Sequence, residues 1–319
     1  MTTRIFIDGA AGTTGLEIHD RLKGREEFDL IVLDDAQRKK KAARKEALHE
    51  TDIAILCLPD DAAREAVELA AGSNTRIIDA SSAHRVADGW TYGFPELIGH
   101  DKVANAQFVS NPGCYPTGFL ALVAPLVREG VLPADYPYTV NAVSGYSGGG
   151  KSLIERFEKD QKLAFRAYGL SLGHKHLPEM KLHAGLAQPP VFSPSVASVY
   201  RGMIVDVPLP LGLLGGKETA LKILNCLDCT FEQTPMVQVD APSENPSELL
   251  LPCLKGGWDW LDINFYVSHD LTQARLTATL DNLGKGASGA AVQNLNIMCG
   301  LPETTGLRHL PHLPHLPKI

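Results

Sequence analysis

The first third of the chain alternates short apolar runs with stretches whose apolar residues recur at helical spacing. Residues 3–9 (TRIFIDG) read as a strand running into glycine, 28–35 (FDLIVLDD) as a second, 52–60 (DIAILCLPD) as a third, 75–81 (TRIIDAS) as a fourth and 106–111 (AQFVSN) as one more. Between them, residues 13–24 (TTGLEIHDRLKG) form a helix that stops at Gly24, and 61–72 (DAAREAVELAAG) one with an acidic start and a glycine end. Strands rich in Ile, Val and Leu on both faces, interleaved with helices, predict a parallel sheet covered on both sides.

The texture changes after residue 113. Residues 118–130 (GFLALVAPLVREG) are apolar all round and predict a buried helix, and 138–152 (YTVNAVSGYSGGGKS) a strand falling into a glycine-rich loop. Residues 191–210 and 259–281 are long β-rich stretches with few helices between them, which predicts a mixed or antiparallel sheet and a second domain. Residues 284–300 then return to helical spacing. In the tail HLPHLPHLP (309–317) proline recurs every third residue, which forbids a regular helix. A polyproline II path would align His309, His312 and His315 on one edge of a surface-wrapping segment. The expected class is α/β: a Rossmann-type parallel-sheet dinucleotide domain and an α+β mixed-sheet catalytic domain.

With 319 residues there is room for two such cores. A net charge of −7 gives no bulk attraction to nucleic acid or an anionic membrane. No apolar stretch approaches the ~18 residues of a membrane span, and MTTRIFIDG lacks the apolar core of a signal peptide, so a cytoplasmic protein is expected. Six cysteines in a chain this long do not make a disulfide framework. Cys226 and Cys229 have C-x-x-C spacing but no second pair, and on an amphipathic helix they read as buried reduced thiols; no metal site is expected.

Candidate chemistry gathers at the loops. Gly9, Gly12 and Gly15 lie between the first strand and the first helix, where glycines admit a pyrophosphate and the helix N-terminus offers it free N–H groups; Thr13 and Thr14 add hydroxyls. Asp34 and Asp35 end the second strand, where an acid would hold a ribose diol, but Arg38, Lys39, Lys40 and Lys41 follow, so the residues leave NAD and NADP open. In VSNPGCYPTG (109–118), Pro-Gly stops a strand and Tyr-Pro starts a helix, so Cys114 falls at a helix N-terminus. There the dipole is expected to lower its pKa and make it a nucleophile. His174 and His176 supply the acid/base, with Glu179 three residues from His176 to orient its imidazole. Ser81 and Arg85 in SSAHR, and Ser144, Ser147 and Lys151 in SGYSGGGK, are the candidate anion contacts. The second segment also meets the P-loop spacing from Gly145 to Ser152 but lacks an acidic strand-end partner for Mg²⁺.

Taken together, GAAGTTG, SSAHR, SNPGCYPTG, SGYSGGGK, HKHLPEM and KGASGAAVQNLN resemble, in order and over nearly the whole chain, the compact subtype of the N-acetyl-γ-glutamyl-phosphate reductases. Lys151 stands where the longer subtype has arginine, and SSAHR departs from that subtype's acidic-aromatic version. The resemblance implies a glyceraldehyde-3-phosphate-dehydrogenase-like architecture, with residues 1–113 and 285–319 as the dinucleotide domain and 114–284 as the catalytic and dimerisation domain. It implies NADPH-dependent reduction of N-acetylglutamyl 5-phosphate through a Cys114 thioester, a step of arginine biosynthesis. It also implies Arg38 or Lys39 near a 2′-phosphate, Asn282 on the nicotinamide side, Asn111 beside the substrate, and a homodimer or homotetramer. Two other readings stay open on sequence: a reductase of another acyl phosphate, such as aspartate-semialdehyde dehydrogenase, and a non-catalytic NADP-binding regulator.

Overall fold

The computed structural model describes residues 2–160, 162–240, 246–251 and 256–308; the HLP-repeat tail lies outside the described residues. The first sheet is wholly parallel. Its strands are β1 (Thr3–Asp8), β2 (Phe28–Ile31), β3 (Ile53–Leu56), β4 (Arg76–Asp79), β5 (Thr91–Tyr92) and β6 (Phe108–Ser110), in the order β2-β1-β3-β4-β6-β5. Helices α1 (Thr13–Leu22), α2 (Lys41–His49), α3 (Asp60–Leu69), α4 (Pro95–Ile98) and α5 (His100–Ala104) lie in the connections. All four residues of β3 are buried, as a central strand covered on both faces requires. β5, α4 and α5 were not foreseen, since elements of two to five residues are too short to carry a period.

The second sheet is mixed. It runs from β7 (Thr139–Gly145) through β8 (Phe165–Ala167), β9 (Val191–Ala197), β10 (Met203–Leu209), β11 (Val237–Asp240) and β12 (Leu261–Val267) to β13 (Ala274–Leu280), in the order β11-β12-β13-β10-β7-β9-β8. β10 pairs antiparallel with both β7 and β13, while β7 with β9 and β11 with β12 run parallel. Among its helices are α6 (Cys114–Arg128), α7 (Gly150–Lys159), α8 (Leu177–His183) and α9 (Lys217–Phe231). α6 is buried continuously from Tyr115 to Leu126, which explains its lack of a polar face. On β7, Val140, Ala142 and Ser144 point inward while Thr139, Asn141 and Val143 face outward.

The five described cysteines (Cys57, Cys114, Cys226, Cys229, Cys299) are free thiols. The expected burial of the C-x-x-C pair is corrected: Cys229 is exposed and Cys226 only half-buried. α9 turns Ile223, Leu227 and Phe231 into the core, and that register places both thiols on its flank.

A π-turn (Gly284–Ser288) and α10 (Gly289–Met298) bring the chain back to the first sheet. There Ala291, Val292, Leu295, Ile297 and Met298 share a core with Ile5, Ile7, Ile18, Ile55, Ile78 and Val109. The two halves are also joined by charge. Glu17 on α1 accepts from Arg21, from Arg201 between β9 and β10, and from Arg308; Arg21 also donates to Asp259 at 2.9 Å, and Arg201 to Asp281 at 3.1 Å.

A Cβ on Gly284 would stand 1.7 Å from the Trp258 carbonyl oxygen. Gly284→Ala is therefore expected to cost about 3 kcal/mol of stability in urea unfolding, the upper range of overpacking; a loss under ~0.5 kcal/mol would show that the π-turn can yield.

Candidate active site

Cys114 is the first residue of α6, with Gly113 as its N-cap and Pro116 in the first turn, where no intrahelical N–H is lost. Gly113 sits in a crowded corner. A Cβ there would lie 2.6 Å from Arg85 Nη1, 2.8 Å from His176 Nε2 and 3.1 Å from Glu179 Oε2, so only glycine lets the chain enter the helix between these groups. Glu179, buried on α8, accepts from the Gly113 amide at 2.8 Å, the Tyr92 hydroxyl at 2.6 Å and Arg85 Nη1 at 3.2 Å. This corrects the role expected for Glu179. Its oxygens hold the N-cap of α6 and two neighbours rather than the His176 ring, whose Nδ1 has no hydrogen-bond partner among the described residues. Both carboxylate oxygens of Glu179 are taken by these three donors, which come from the first half of the chain.

The helix start opens onto a cavity of about 520 Å³. Its lining brings together Gly12, Thr13 and Thr14 from the first half with Arg85, Asn111, Cys114, Ser144, Ser147, Lys151, His174, His176 and Asn282. Ser81 is not among them. Its hydroxyl donates to Asp79 at 2.7 Å and it belongs to the turn after β4, which corrects its expected anion role. Arg85 and Asn111 line the cavity but are committed: Arg85 also donates to the Asn111 carbonyl at 2.9 Å, and Asn111 Nδ2 to the Ala287 carbonyl at 2.9 Å. Asn282 accepts from the Gly202 amide and donates to Ser147 Oγ, both at 2.9 Å, fastening the start of the π-turn to the glycine-rich loop. Sequence reasoning missed Tyr115, Arg166, Tyr168 and Lys175, which also line the cavity. Lys175 was legible, since it lies inside the H-x-H pair; Arg166 sits on an edge strand and Tyr168 just past its end, with no motif of their own.

Burial governs the ionisation of these groups. The Cys114 thiol is pushed up to about 11: desolvation outweighs Arg85, the Tyr115 amide and Lys175, which favour the thiolate, and Glu179 opposes it. The expected lowering at the helix N-terminus is thus present in sign and overcome in size. Burial also lowers His174 to about 4, and it holds His176 well below the ordinary histidine value, with Arg85, His174 and Lys175 adding to the effect. Both rings are neutral at physiological pH. His174 Nδ1 accepts from the His176 amide at 3.1 Å, which leaves His176 as the ring with a free buried nitrogen. Both rings and the thiol line one cavity, where a neutral imidazole is a base and a protonated thiol an acid.

A smaller cavity of about 240 Å³ lies on the other side of the glycine turn, lined by Gly9, Ala10, Ala11, Asp35 and Arg38 among others. A Cβ on Gly9 (φ +89°) would meet the Cys57 carbonyl oxygen at 2.3 Å, and one on Gly15 the Gly9 carbonyl oxygen at 2.4 Å, so both glycines serve the close packing of the turn. α1 starts at Thr13 with no side-chain cap and no acid in its first turn, which leaves its amides and dipole for an anion. Asp34 caps the amides of Ala36 and Gln37, and Arg38 pairs with Asp35 at 2.6 Å. An uncapped helix N-terminus, with one cavity lined by Gly12, Thr13 and Thr14 and another by Gly9, Ala10 and Ala11, fits a dinucleotide.

Two family descriptions match the chain: "Semialdehyde dehydrogenase, NAD binding domain" over residues 34–106 and "Semialdehyde dehydrogenase, dimerisation domain" over residues 114–282. N-acetyl-gamma-glutamyl-phosphate reductase 2 of Nostoc sp. is 51% identical over 319 residues, covering 95% of this chain and 99% of that protein. N-acetyl-gamma-glutamyl-phosphate reductase 2 of Pseudomonas putida is 47% identical over 96% of this chain and 99% of its own, and the Brucella ovis N-acetyl-gamma-glutamyl-phosphate reductase 49% over 94% and 100%. Among solved structures, aspartate semialdehyde dehydrogenase II of Vibrio cholerae superposes with a TM-score of 0.68 over 94% of this chain and 99% of its own, at 15% identity. It shares the fold.

Two measurements check the electrostatics. Alkylation of Cys114 in the ligand-free protein is expected to keep rising with pH beyond 9; a plateau below pH 7 would show a helix-stabilised thiolate instead. Histidines held neutral by the fold must charge as pH falls, so the unfolded chain binds more protons below its ordinary value of 6.5. Stability should therefore fall as pH drops from 6.5 to about 4, and His174→Gln should flatten the dependence of Tm on pH in that window; an unchanged slope would count against it.

Proposed function

The chain belongs to the N-acetyl-γ-glutamyl-phosphate reductase family, and on that premise we propose that Cys114 is the nucleophile that takes the acyl group from N-acetyl-γ-glutamyl phosphate. The observation that supports this most directly is the meeting, in one cavity, of the α6 N-terminal thiol, the α1 N-terminus and a neutral His174–His176 pair. Neutral His176 removes the thiol proton as Sγ attacks the acyl carbon, and phosphate leaves with the bonding electron pair. Lys175, between the two histidines and among the charges acting on Cys114, neutralises the departing phosphate, with Ser144, Ser147 and Lys151 on the glycine-rich loop as further contacts. When bound, the reduced dinucleotide supplies the hydride that takes the Cys114 thioester to the aldehyde level. The protonated His176 then returns its proton as the C–S bond breaks, releasing N-acetylglutamate 5-semialdehyde and restoring the thiol. The protein is an NADP-dependent oxidoreductase of amino-acid (arginine) biosynthesis.

The dinucleotide is held by Gly12, Thr13 and Thr14 at the pyrophosphate and by Arg38 at the 2′-phosphate, where the Asp35 partner fixes the guanidinium. Residues 1–113 with 285–319 form the dinucleotide-binding domain and 114–284 the catalytic one, a division supported by the packing of α10 on the first sheet. The outer face of the second sheet, with Val143 40% and Val191 53% exposed, supports assembly as a homodimer or homotetramer. A cytoplasmic location belongs to the same proposal.

Phosphate-dependent oxidation of N-acetylglutamate 5-semialdehyde, followed by NADPH absorbance, should exceed that of aspartate semialdehyde; the reverse preference would overturn the assignment. Cys114→Ala should lose activity on the order of 10⁴-fold or more while still binding NADPH, and substantial residual turnover would rule out the thioester route.

A further inference from the structure

The basic side chains lining the cavity are not equivalent. Arg85 is spent on Glu179 and on the Asn111 and Ala80 carbonyls. Lys175 acts directly on the Cys114 thiol and both histidines, beside the bond that breaks. Lys151 is exposed in the first turn of α7, next to the glycine-rich loop. Arg166 differs from all of these: it is half-buried on β8 and makes no ion pair with any described residue.

We propose that Arg166 binds the carboxylate of the acyl substrate that lies remote from the reacting carbon, and so selects which acyl chain reaches Cys114. This rests on the reading of Cys114 as acyl acceptor given above. A guanidinium drawn partly out of water without a counter-ion is completed by a planar anion, which its N–H fork matches in two bonds. Arg166 is already oriented for this, its Cζ lying 4.5 Å from the centroid of the Tyr168 ring. The cation–π contact fixes the plane of the guanidinium and leaves its hydrogen-bonding edge free.

Position supplies the second argument. Arg166 and Tyr168 are two residues apart along an extended edge, so their side chains share a face. Tyr168 feels both the Cys114 thiol and the Arg166 charge, and its hydroxyl meets that of Tyr115, the residue after the nucleophile. The strongest charges on Cys114 itself are those of Arg85, Glu179 and Lys175. Cys114, Tyr115, Arg166 and Tyr168 all line the one cavity, with Arg166 stacked on the Tyr168 ring. An acyl group bonded to Sγ and lying along that ring brings a carboxylate at its far end to Arg166. In N-acetylglutamyl phosphate three carbons separate the two groups; an aspartyl chain is one carbon shorter.

The test compares N-acetylglutamate 5-semialdehyde with 4-acetamidobutanal, the same aldehyde without the carboxylate, in the phosphate-dependent oxidation. Wild-type protein should prefer the carboxylated aldehyde in kcat/KM by about 10²- to 10³-fold. Arg166→Ala should lose most of that preference by falling on the carboxylated aldehyde alone, chiefly in KM. Arg166→Lys should fall in between, and added guanidinium should restore part of the Arg166→Ala loss. NADPH affinity, read by fluorescence, should not change. A preference retained in Arg166→Ala, or an equal loss on both aldehydes, overturns the proposal while leaving the reductase assignment standing. Failure of wild-type protein to oxidise either aldehyde overturns that assignment, and this proposal with it.

Discussion

Glu179 accepts hydrogen bonds from the Gly113 amide, the Tyr92 hydroxyl and the Arg85 guanidinium, and so ties α8, β5, the segment after β4 and the start of α6 to one buried carboxylate. A charge in such a place is tolerable only when donors surround it, and these three arrive from separate parts of the chain. The clamp sets where Cys114 stands, because Gly113 cannot move without breaking it. It also sets how Cys114 behaves. The anion that anchors the nucleophile's backbone opposes ionisation of its sulfur, and burial does the same. The site therefore holds a positioned thiol in place of a resting thiolate, and the neutral histidines beside it follow from the same desolvation. A group kept protonated until its base and substrate are both present is also shielded from oxidation and stray electrophiles.

The two halves are linked by a relay of short polar contacts as well as by apolar packing. Glu17, in the second turn of α1, gathers Arg21, Arg201 and Arg308; the amide after Arg201 holds Asn282, and Asn282 holds Ser147 in the glycine-rich loop. The helix that carries Glu17 and the loop that carries Ser147 therefore share one framework of side chains.

Much of this was legible in the sequence because it rests on local rules. The strand–glycine–helix entry, the Pro-Gly-Cys-Tyr-Pro seam and the uniformly apolar α6 each announce themselves within about fifteen residues, and each stands as read. What sequence could not give depends on contacts across the fold. The partners of Glu179 lie 66, 87 and 94 residues away, so the nearby His176 looked like its natural target. Ser81 carried the right chemistry but turned to Asp79, two residues back. The rise in the Cys114 pKa reflects desolvation, which is a property of the assembled cavity; the helix dipole that suggested a lowering is a property of the segment alone.

The return of α10 has a consequence for how the protein is made. Ile5, Ile7 and Ile18 find part of their apolar cover only in Ala291, Val292 and Leu295, so the first sheet leaves the ribosome with one flank uncovered. The second sheet, from β7 to β13, is wholly synthesised before that cover appears. The half begun first is finished last, and the growing chain carries an exposed parallel sheet for most of its synthesis.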